Sequence, residues 1–250
     1  MVEQEAIKKV ISILQSGYLP YAGFFELMSR CDTFVLYDDV QFDKNSWRNR
    51  NRIRVPQGDI WLTVPVVSKG HFGQTLKEVR IAPGNWQKKH LSSIRHYYAK
   101  SGCFDEYIGF FERIYAQKWE WLLDLNFEII EYFRKILGVN SELILSSGLK
   151  SAGNKTERII SICRELGADA YISTNGAKDY LDEGLFPENN IALAYQDYPG
   201  AKYRQVYPGF VDNLSVIDLV FNCGKESRDI MLSFSSCKFN REGKYRGIGR

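Results

Sequence analysis

At 250 residues the chain can bury a sizeable core without disulfide or metal staples, and 44% hydrophobic against 25% charged residues excludes a disordered or fibrous polymer. A net charge of +3 is too small to mark a nucleic-acid binder, and no apolar run reaches the length of a membrane span, so neither nucleic acid nor a bilayer is the expected partner. The cysteines, Cys31, Cys103, Cys163, Cys223 and Cys237, are odd in number and lack CxxC or Cys/His ligand spacing, which predicts free thiols, no metal site and a reducing, cytoplasmic setting.

Val10-Ile11-Ser12-Ile13-Leu14 is apolar, rich in β-branched residues and stops at Ser16-Gly17, the pattern of a buried strand followed by a turn. Phe24, Phe25, Leu27 and Met28 then recur at near-helical spacing within 22–31, and 33–37 reads as a second buried strand. Strand, helix, strand in about 30 residues is a βαβ unit, which requires a right-handed crossover and a parallel pair. Between Trp47 and Val55, Arg48, Arg50, Arg52 and Arg54 alternate with Trp47, Asn49, Asn51 and Ile53, so a regular strand places four guanidiniums on one face. Residues 60–67 follow across Pro56-Gln57-Gly58-Asp59 and complete a predicted hairpin, with Val79-Arg80-Ile81 a third short strand.

Helical patterning covers 87–100, 104–115 and 119–137, a layer or subdomain spanning 86–138. A strand returns at 143–145, and Asn154-Lys155-Thr156-Glu157 places an N-cap and its acid before a helix closing at Leu166-Gly167. Residues 170–173 read as a strand, Asn175-Gly176 as a turn into a short helix through Leu181, 191–195 as a strand and 215–222 as a helix. The expected fold class is α/β: a partly parallel sheet starting with a βαβ unit, with an inserted β-hairpin and a helical layer, in a single interleaved domain over 1–237. Residues 238–250 form a basic, glycine-bearing tail expected to be solvated and mobile.

Three groups of residues can carry chemistry. The turn from Gln15 through Gly17, Tyr18 and Gly23 lies at the carboxyl end of the first strand, where open α/β sheets bind ligands and helix N-termini favour phosphate; a tight structural turn accounts for the same residues. Asp38-Asp39-Val40-Gln41 closes the second strand; adjacent carboxylates can supply a base, hold a cation or bind a sugar, or can simply cap a turn. The alternating arginines suit a bidentate phosphate clamp or a solvated sheet face. His90 and His96 are six residues apart, out of register for a shared metal, which leaves His90 as a base or as a packing residue.

At these residues the chain resembles the WbqC family, a bacterial family found in gene clusters for surface-polysaccharide biosynthesis. The likeness runs nearly end to end: GYLPYAGFFEL at 17–27, VLYDDVQFDKNSWRNRNRI at 35–53, WLTVPV at 61–66, NWQKKHLSSIRHYY at 85–98, ICRELGADAYIST, and YRQVYPGFVDNLSVIDLVFNCG at 203–224. The family usually opens its turn with His-Gln-Pro, where this chain has Leu14-Gln15-Ser16 and so keeps only the glutamine. A weaker likeness, over the strand, the GYLPYAGF turn and DTFVLYDDVQF, is to nucleotidyltransferase-like α/β proteins of the pantothenate synthetase kind.

The WbqC resemblance implies an O-antigen-type enzyme that acylates or aminoacylates the amine of a nucleotide-linked amino sugar, with a carrier-protein phosphopantetheine or coenzyme A thioester as donor. The expected partners are the nucleotide sugar, an acyl or aminoacyl carrier protein and a second copy in a homodimer. Asp39 or His90 is the expected base and Asp38 orients the sugar. Gln41 or Asn51 donates to the oxyanion, Arg48 and Arg50 meet the diphosphate or phosphopantetheine, and Tyr18 and Trp47 stack on a base or sugar ring. Gln15, Gly17, Gly23, Asn175, Gly176, Tyr203 and Gln205 complete the expected binding residues. The nucleotidyltransferase likeness implies an ATP-dependent adenylate-forming ligase instead, and loss of the histidine leaves room for a non-catalytic scaffold.

Overall fold

The computed structural model describes residues 7–43, 46–70, 72–233 and 236–239. The basic tail expected over 238–250 therefore lies, beyond Phe239, outside the described residues.

The chain opens with β1 (Val10–Leu14), α1 (Ala22–Ser29) and β2 (Thr33–Leu36), with Ile11 opposite Thr33 and Leu14 opposite Leu36 in parallel register. Both strands are buried on both faces, which is why they read as unbroken apolar runs rather than alternating ones. A hairpin, β3 (Arg50–Val55) and β4 (Gly58–Thr63), stands apart from this sheet as its own antiparallel pair. Three helices follow, α2 (Trp86–Tyr98), α3 (Phe104–Ala116) and α4 (Leu122–Ile136). The chain then continues through β5 (Glu142–Leu145), α5 (Lys155–Glu165), β6 (Ala170–Thr174), the one-turn α6 (Leu185–Glu188) and β7 (Ala192–Asp197). It closes with α7 (Val216–Cys223), α8 (Ser227–Leu232) and β8 (Ser236–Phe239).

The main sheet has the order β5-β2-β1-β6-β7-β8, with five parallel strands and β8 antiparallel to β7. Because side chains alternate along a strand, the two faces feed two cores. Ile11, Ile13, Val35, Tyr171 and Leu193 pack with Ile159, Ile162 and Phe186 on one side. Phe34, Leu36, Ile172 and Ala194 pack on the other with α1 and with aromatics of the later helices, among them Phe111, Phe133 and Phe221. Each such side chain contributes roughly 1.5–3 kcal/mol by leaving water. The same large core takes in Ile94, Phe111 and Ile130 from α2, α3 and α4, so these helices share a core with that face of the sheet.

Several expectations need correction. Val79-Arg80-Ile81 makes only isolated bridges, to Val66 and Trp121, because Val79 terminates a tight turn in which its N–H donates to the Leu76 carbonyl. The arginine strand begins at Arg50, leaving Arg48 in the preceding loop. Arg54 is buried rather than solvated, since its guanidinium donates to the carbonyls of Gly58 (2.8 Å) and Pro208 (2.7 Å) and to Gln205 Oε1 (3.2 Å). Asn154 occupies the N-cap position of α5 without making a side-chain cap bond. Asn175 and Gly176 form a single tight turn, Asn175–Ala177.

Candidate functional site

Strand order reverses beside β1: the chain runs from β1 outward to β2 and β5, then returns to place β6 and β7 on the opposite flank. Loops leaving the carboxyl ends of β1 and β6 must diverge there, which opens a crevice. A cavity of about 620 Å³ occupies that position, lined by Gln15, Gly17, Pro20 and Tyr21 after β1, by Thr174 and Gly176 at the end of β6, and by Tyr198 after β7. Trp47, Arg48, Asn51 and Arg52 close it from the hairpin side, with Asn213 from the loop before α7.

Backbone bonds lock these loops together. Tyr18 N donates to the carbonyls of Trp47 (3.2 Å) and Arg48 (3.1 Å), and Asn126 Nδ2 donates to the same Arg48 carbonyl at 2.9 Å. Asn51 Nδ2 donates to the carbonyl of Leu19 (2.7 Å), a residue held at φ +49°, and Ser215 N donates to Arg52 O at 2.9 Å. At Gly17 a Cβ would sit 3.0 Å from the Trp47 carbonyl. At Gly23 it would lie 2.3 Å from the Tyr21 ring and 2.6 Å from that of Tyr198, so the first turn of α1 accepts only glycine there. Gln196 fixes α1 on β7 by donating to the Gly23 carbonyl (2.7 Å) and to the buried Glu26.

Four side chains lining this cavity have buried atoms without a hydrogen-bond partner among the described residues: Arg48 Nε, Arg52 Nε, Gln15 Oε1 and Tyr198 Oη. Arg48 donates through Nη1 to the Gln15 carbonyl at 3.2 Å, and burial pulls its ionisation down to about 10, against the pull of Asp43 and Tyr180, so it stays cationic at neutral pH. Burial, with Glu26 nearby, raises Tyr198, which therefore keeps its proton. The side chains lining the cavity thus include a charged donor, a neutral acceptor and a hydroxyl able to do both. α1 also begins at this cavity, with Tyr21 at its N-cap position.

Of the residues singled out in the sequence, Gln15, Gly17, Trp47, Arg48, Asn51 and Gly176 line this cavity, and Gly23 shapes it from behind. Arg50 lies over Trp61, 4.3 Å from the ring centroid, and Asn175 sits in the turn leading to Gly176. The aspartates are elsewhere, at the carboxyl ends of β2 and β5. Asp38 is buried and accepts from Ser146 Oγ (3.0 Å), Ser147 N (2.9 Å) and Ser147 Oγ (2.6 Å), which ties the two strand ends together. Burial works to raise Asp39, but the Ser146 hydroxyl (2.5 Å) and the Arg158 guanidinium hold it below the usual carboxylate range. Gln41 is exposed and bridges to Thr75.

His90 is buried among Tyr18, Trp86 and Tyr115, its Nδ1 2.8 Å from the Tyr18 hydroxyl. Burial drives it down to about 4, with the Thr63 backbone opposing, so the ring is neutral and internal. Tyr18 is likewise fully buried, bonding also to Tyr115 (2.5 Å), and offers no face to a ligand. Tyr203 and Gln205 lie in a second cavity of about 620 Å³ lined also by Lys100, Gly102 and Phe210; Tyr203 donates to Asp218 (2.8 Å) and Gln205 Nε2 to Val211 O (2.9 Å).

A family model for the WbqC-like protein family matches residues 15–230. The chain belongs to that family. An uncharacterized protein of Mycobacterium tuberculosis is 36% identical over 225 residues, covering 89% of this chain and 97% of its own length. No solved structure matches the chain. The family match begins at Gln15, the first cavity residue after β1, and so takes in every cavity residue named above. In this WbqC-like chain the residues that sequence reading missed are Tyr198, Thr174 and Asn213, whereas Arg52 was among the alternating arginines. Tyr198 had one available signal, its place immediately after the β7 strand end. Among the described residues, no helix is long and apolar enough to cross a membrane, and no group of three or more His, Cys, Asp and Glu side chains gathers for a metal.

Proposed function

We propose that this WbqC-like protein binds a nucleotide-linked amino sugar in the cavity beside β1 and transfers an acyl or aminoacyl group from a thioester to the sugar's amine, a step of surface-polysaccharide assembly. The observation that carries this reading is that Arg48, Gln15 and Tyr198, each with a buried side-chain atom (Nε, Oε1 and Oη) unpartnered among the described residues, line one cavity at the strand-order reversal. A ligand that satisfies all three brings an anion for Arg48, an N–H or O–H for Gln15, and a group exchanging protons with Tyr198. A diphosphate joined to an amino sugar carries each of these.

In this scheme the diphosphate meets Arg48 and the first turn of α1. Gln15 Oε1 accepts one amine hydrogen and aims the nitrogen lone pair at the thioester carbonyl. The C–N bond forms as the C–S bond breaks. The amine's proton passes to the Tyr198 oxygen while the Tyr198 proton passes to the leaving sulfur, so the tyrosine ends unchanged. Asp39, paired to Arg158, and His90, neutral in the core, take no part. A cysteine nucleophile is disfavoured, because burial pushes the Cys163 and Cys223 thiols up to about 12.

The test is thermal unfolding of the purified protein with UDP- and dTDP-linked amino sugars, ATP and carrier thiols. At a hundredfold excess over Kd, a native-state ligand adds about 2.7 kcal/mol, or roughly 5–10 °C in Tm. Stabilisation by a nucleotide amino sugar that Arg48→Ala weakens by roughly 10- to 150-fold in Kd supports the reading. Stabilisation by ATP alone replaces it with a ligase, and silence across the panel removes it.

A further inference from the structure

In the hairpin register Arg50 faces Thr63 and Arg52 faces Trp61, and directly opposed residues of an antiparallel pair share a face. Arg50, Arg52 and Trp61 therefore project together from the outer side of the hairpin. Trp47 folds onto this group from the preceding loop, its ring centroid 5.0 Å from that of Trp61 with the planes tilted by 40°. The Arg50 guanidinium covers Trp61 at 4.3 Å, and that of Arg52 lies 5.8 Å from the Trp47 ring and 5.9 Å from Trp61. Such cation–π contacts orient the rings without hiding them. Trp47 remains 47% exposed and Trp61 43%.

Two half-exposed indoles cost solvation in the free protein, and paired aromatics set among arginines suit a flat, electron-poor or anion-bearing ligand. The position of Trp47 narrows the choice. It lines the cavity together with Arg48 and Arg52, and its backbone carbonyl takes the Tyr18 N–H at 3.2 Å, so the ring rises from a fixed turn next to the half-buried Arg48. A planar group on the indole and a phosphate at Arg48 would be adjoining parts of one molecule.

We infer that Trp47, backed by Trp61 and Arg50, is the platform on which the planar base of a nucleoside diphosphate stacks while the diphosphate enters the cavity toward Arg48. The inference rests on the reading of that cavity as a nucleotide site and adds the base subsite to it. Stacking on an indole tolerates any base, so this subsite supplies affinity for the nucleotide portion rather than discrimination among bases. The cationic rim disfavours a basic partner on the same face.

The experiment is isothermal calorimetry of the full chain with UDP, dTDP, ADP, GDP and pyrophosphate, on the wild type, Trp47→Ala and Trp47→Phe, each checked for an unchanged melting temperature. At least one diphosphate nucleoside is expected to bind more tightly than pyrophosphate. Trp47→Ala is expected to weaken that nucleotide by roughly 5- to 140-fold while leaving pyrophosphate unchanged, and Trp47→Phe to restore most of the loss. Equal binding of nucleotides and pyrophosphate, insensitive to both variants, overturns the stacking platform and leaves the phosphate site standing. Failure of the wild type to bind either class overturns both. Should Trp47→Ala unfold, Trp47→Phe with unaltered pyrophosphate binding and a tenfold or greater loss of nucleotide also counts against a platform that needs only a π-face.

Discussion

Two polar clusters sit at the carboxyl edge of the same sheet and are opposite in kind. At the ends of β2 and β5, Asp38 accepts hydrogen bonds from both Ser146 and Ser147, and Asp39 is paired with Ser146 and Arg158. At the ends of β1 and β7 and in the loop before β3, Gln15, Tyr198 and Arg48 line a cavity, and each holds a buried side-chain atom with no partner among the described residues. By composition the first cluster looks more catalytic, with two adjacent carboxylates. By bonding it is a clamp, because a carboxylate whose lone pairs are already occupied has little left for a substrate. The second cluster keeps its capacity for hydrogen bonding, and that is what a binding site must do.

The comparison is broken most easily at Asp38. Asp38→Ala removes an acceptor shared by three donors, one of them the buried Ser146 hydroxyl, at a cost of roughly 3–5 kcal/mol. A fall in Tm of about 6–20 °C is expected, with ligand binding by the remaining folded protein unchanged. If Asp38→Ala instead kept its Tm and lost the ligand, Asp38 would belong to the site and the distinction drawn here would fail.

Local pattern made the β1–α1–β2 unit legible, because Val10–Leu14 and Thr33–Leu36 are buried on both faces and so carry unbroken apolar runs. It also marked Gln15, Gly17, Arg48 and Gly176, which lie within a few residues of strand ends or of the hairpin. The fates of Arg54, Tyr18 and His90 were not legible. Each is decided by a segment distant in sequence: the loop through Gln205 and Pro208 covers Arg54, and Tyr18 meets His90 and Tyr115 across the core. An alternating arginine pattern says that guanidiniums share a side, and nothing about what later folds over one of them. Tyr198 was missed for the same reason, since only the parallel pairing of β6 with β7 brings its strand end to the cavity.

His90 gives the next largest effect and tests whether a buried polar group is structural. Its folded-state ionisation lies near 4, driven down by burial, against about 6.5 when unfolded. Between those values the unfolded chain binds the extra proton, so stability is full above about pH 6.5 and falls as the pH drops toward 4. The loss is on the order of 3 kcal/mol by the time both states are protonated. Denaturant unfolding at a series of pH values should show this slope in the wild type and not in His90→Phe, whatever the variant's absolute stability. A slope that survives the substitution would mean that the imidazole is already solvated and would return it to consideration as a base.

The smallest expected effect separates the two clusters most sharply. Arg48→Ala takes away a cation whose Nε has no partner among the described residues and whose one side-chain bond, to the Gln15 carbonyl, is 3.2 Å long. Relief from holding a charge out of water offsets the loss of that bond and of the side-chain packing. The melting temperature should therefore move by no more than about 3 °C in either direction, on the order of 1 kcal/mol. A residue whose removal weakens nucleotide binding yet leaves the fold as stable as before is held in place by the ligand's needs rather than the protein's. If Arg48→Ala destabilised the protein as strongly as Asp38→Ala, Arg48 would be a second clamp, and the cavity beside β1 would lose the charge on which its reading depends.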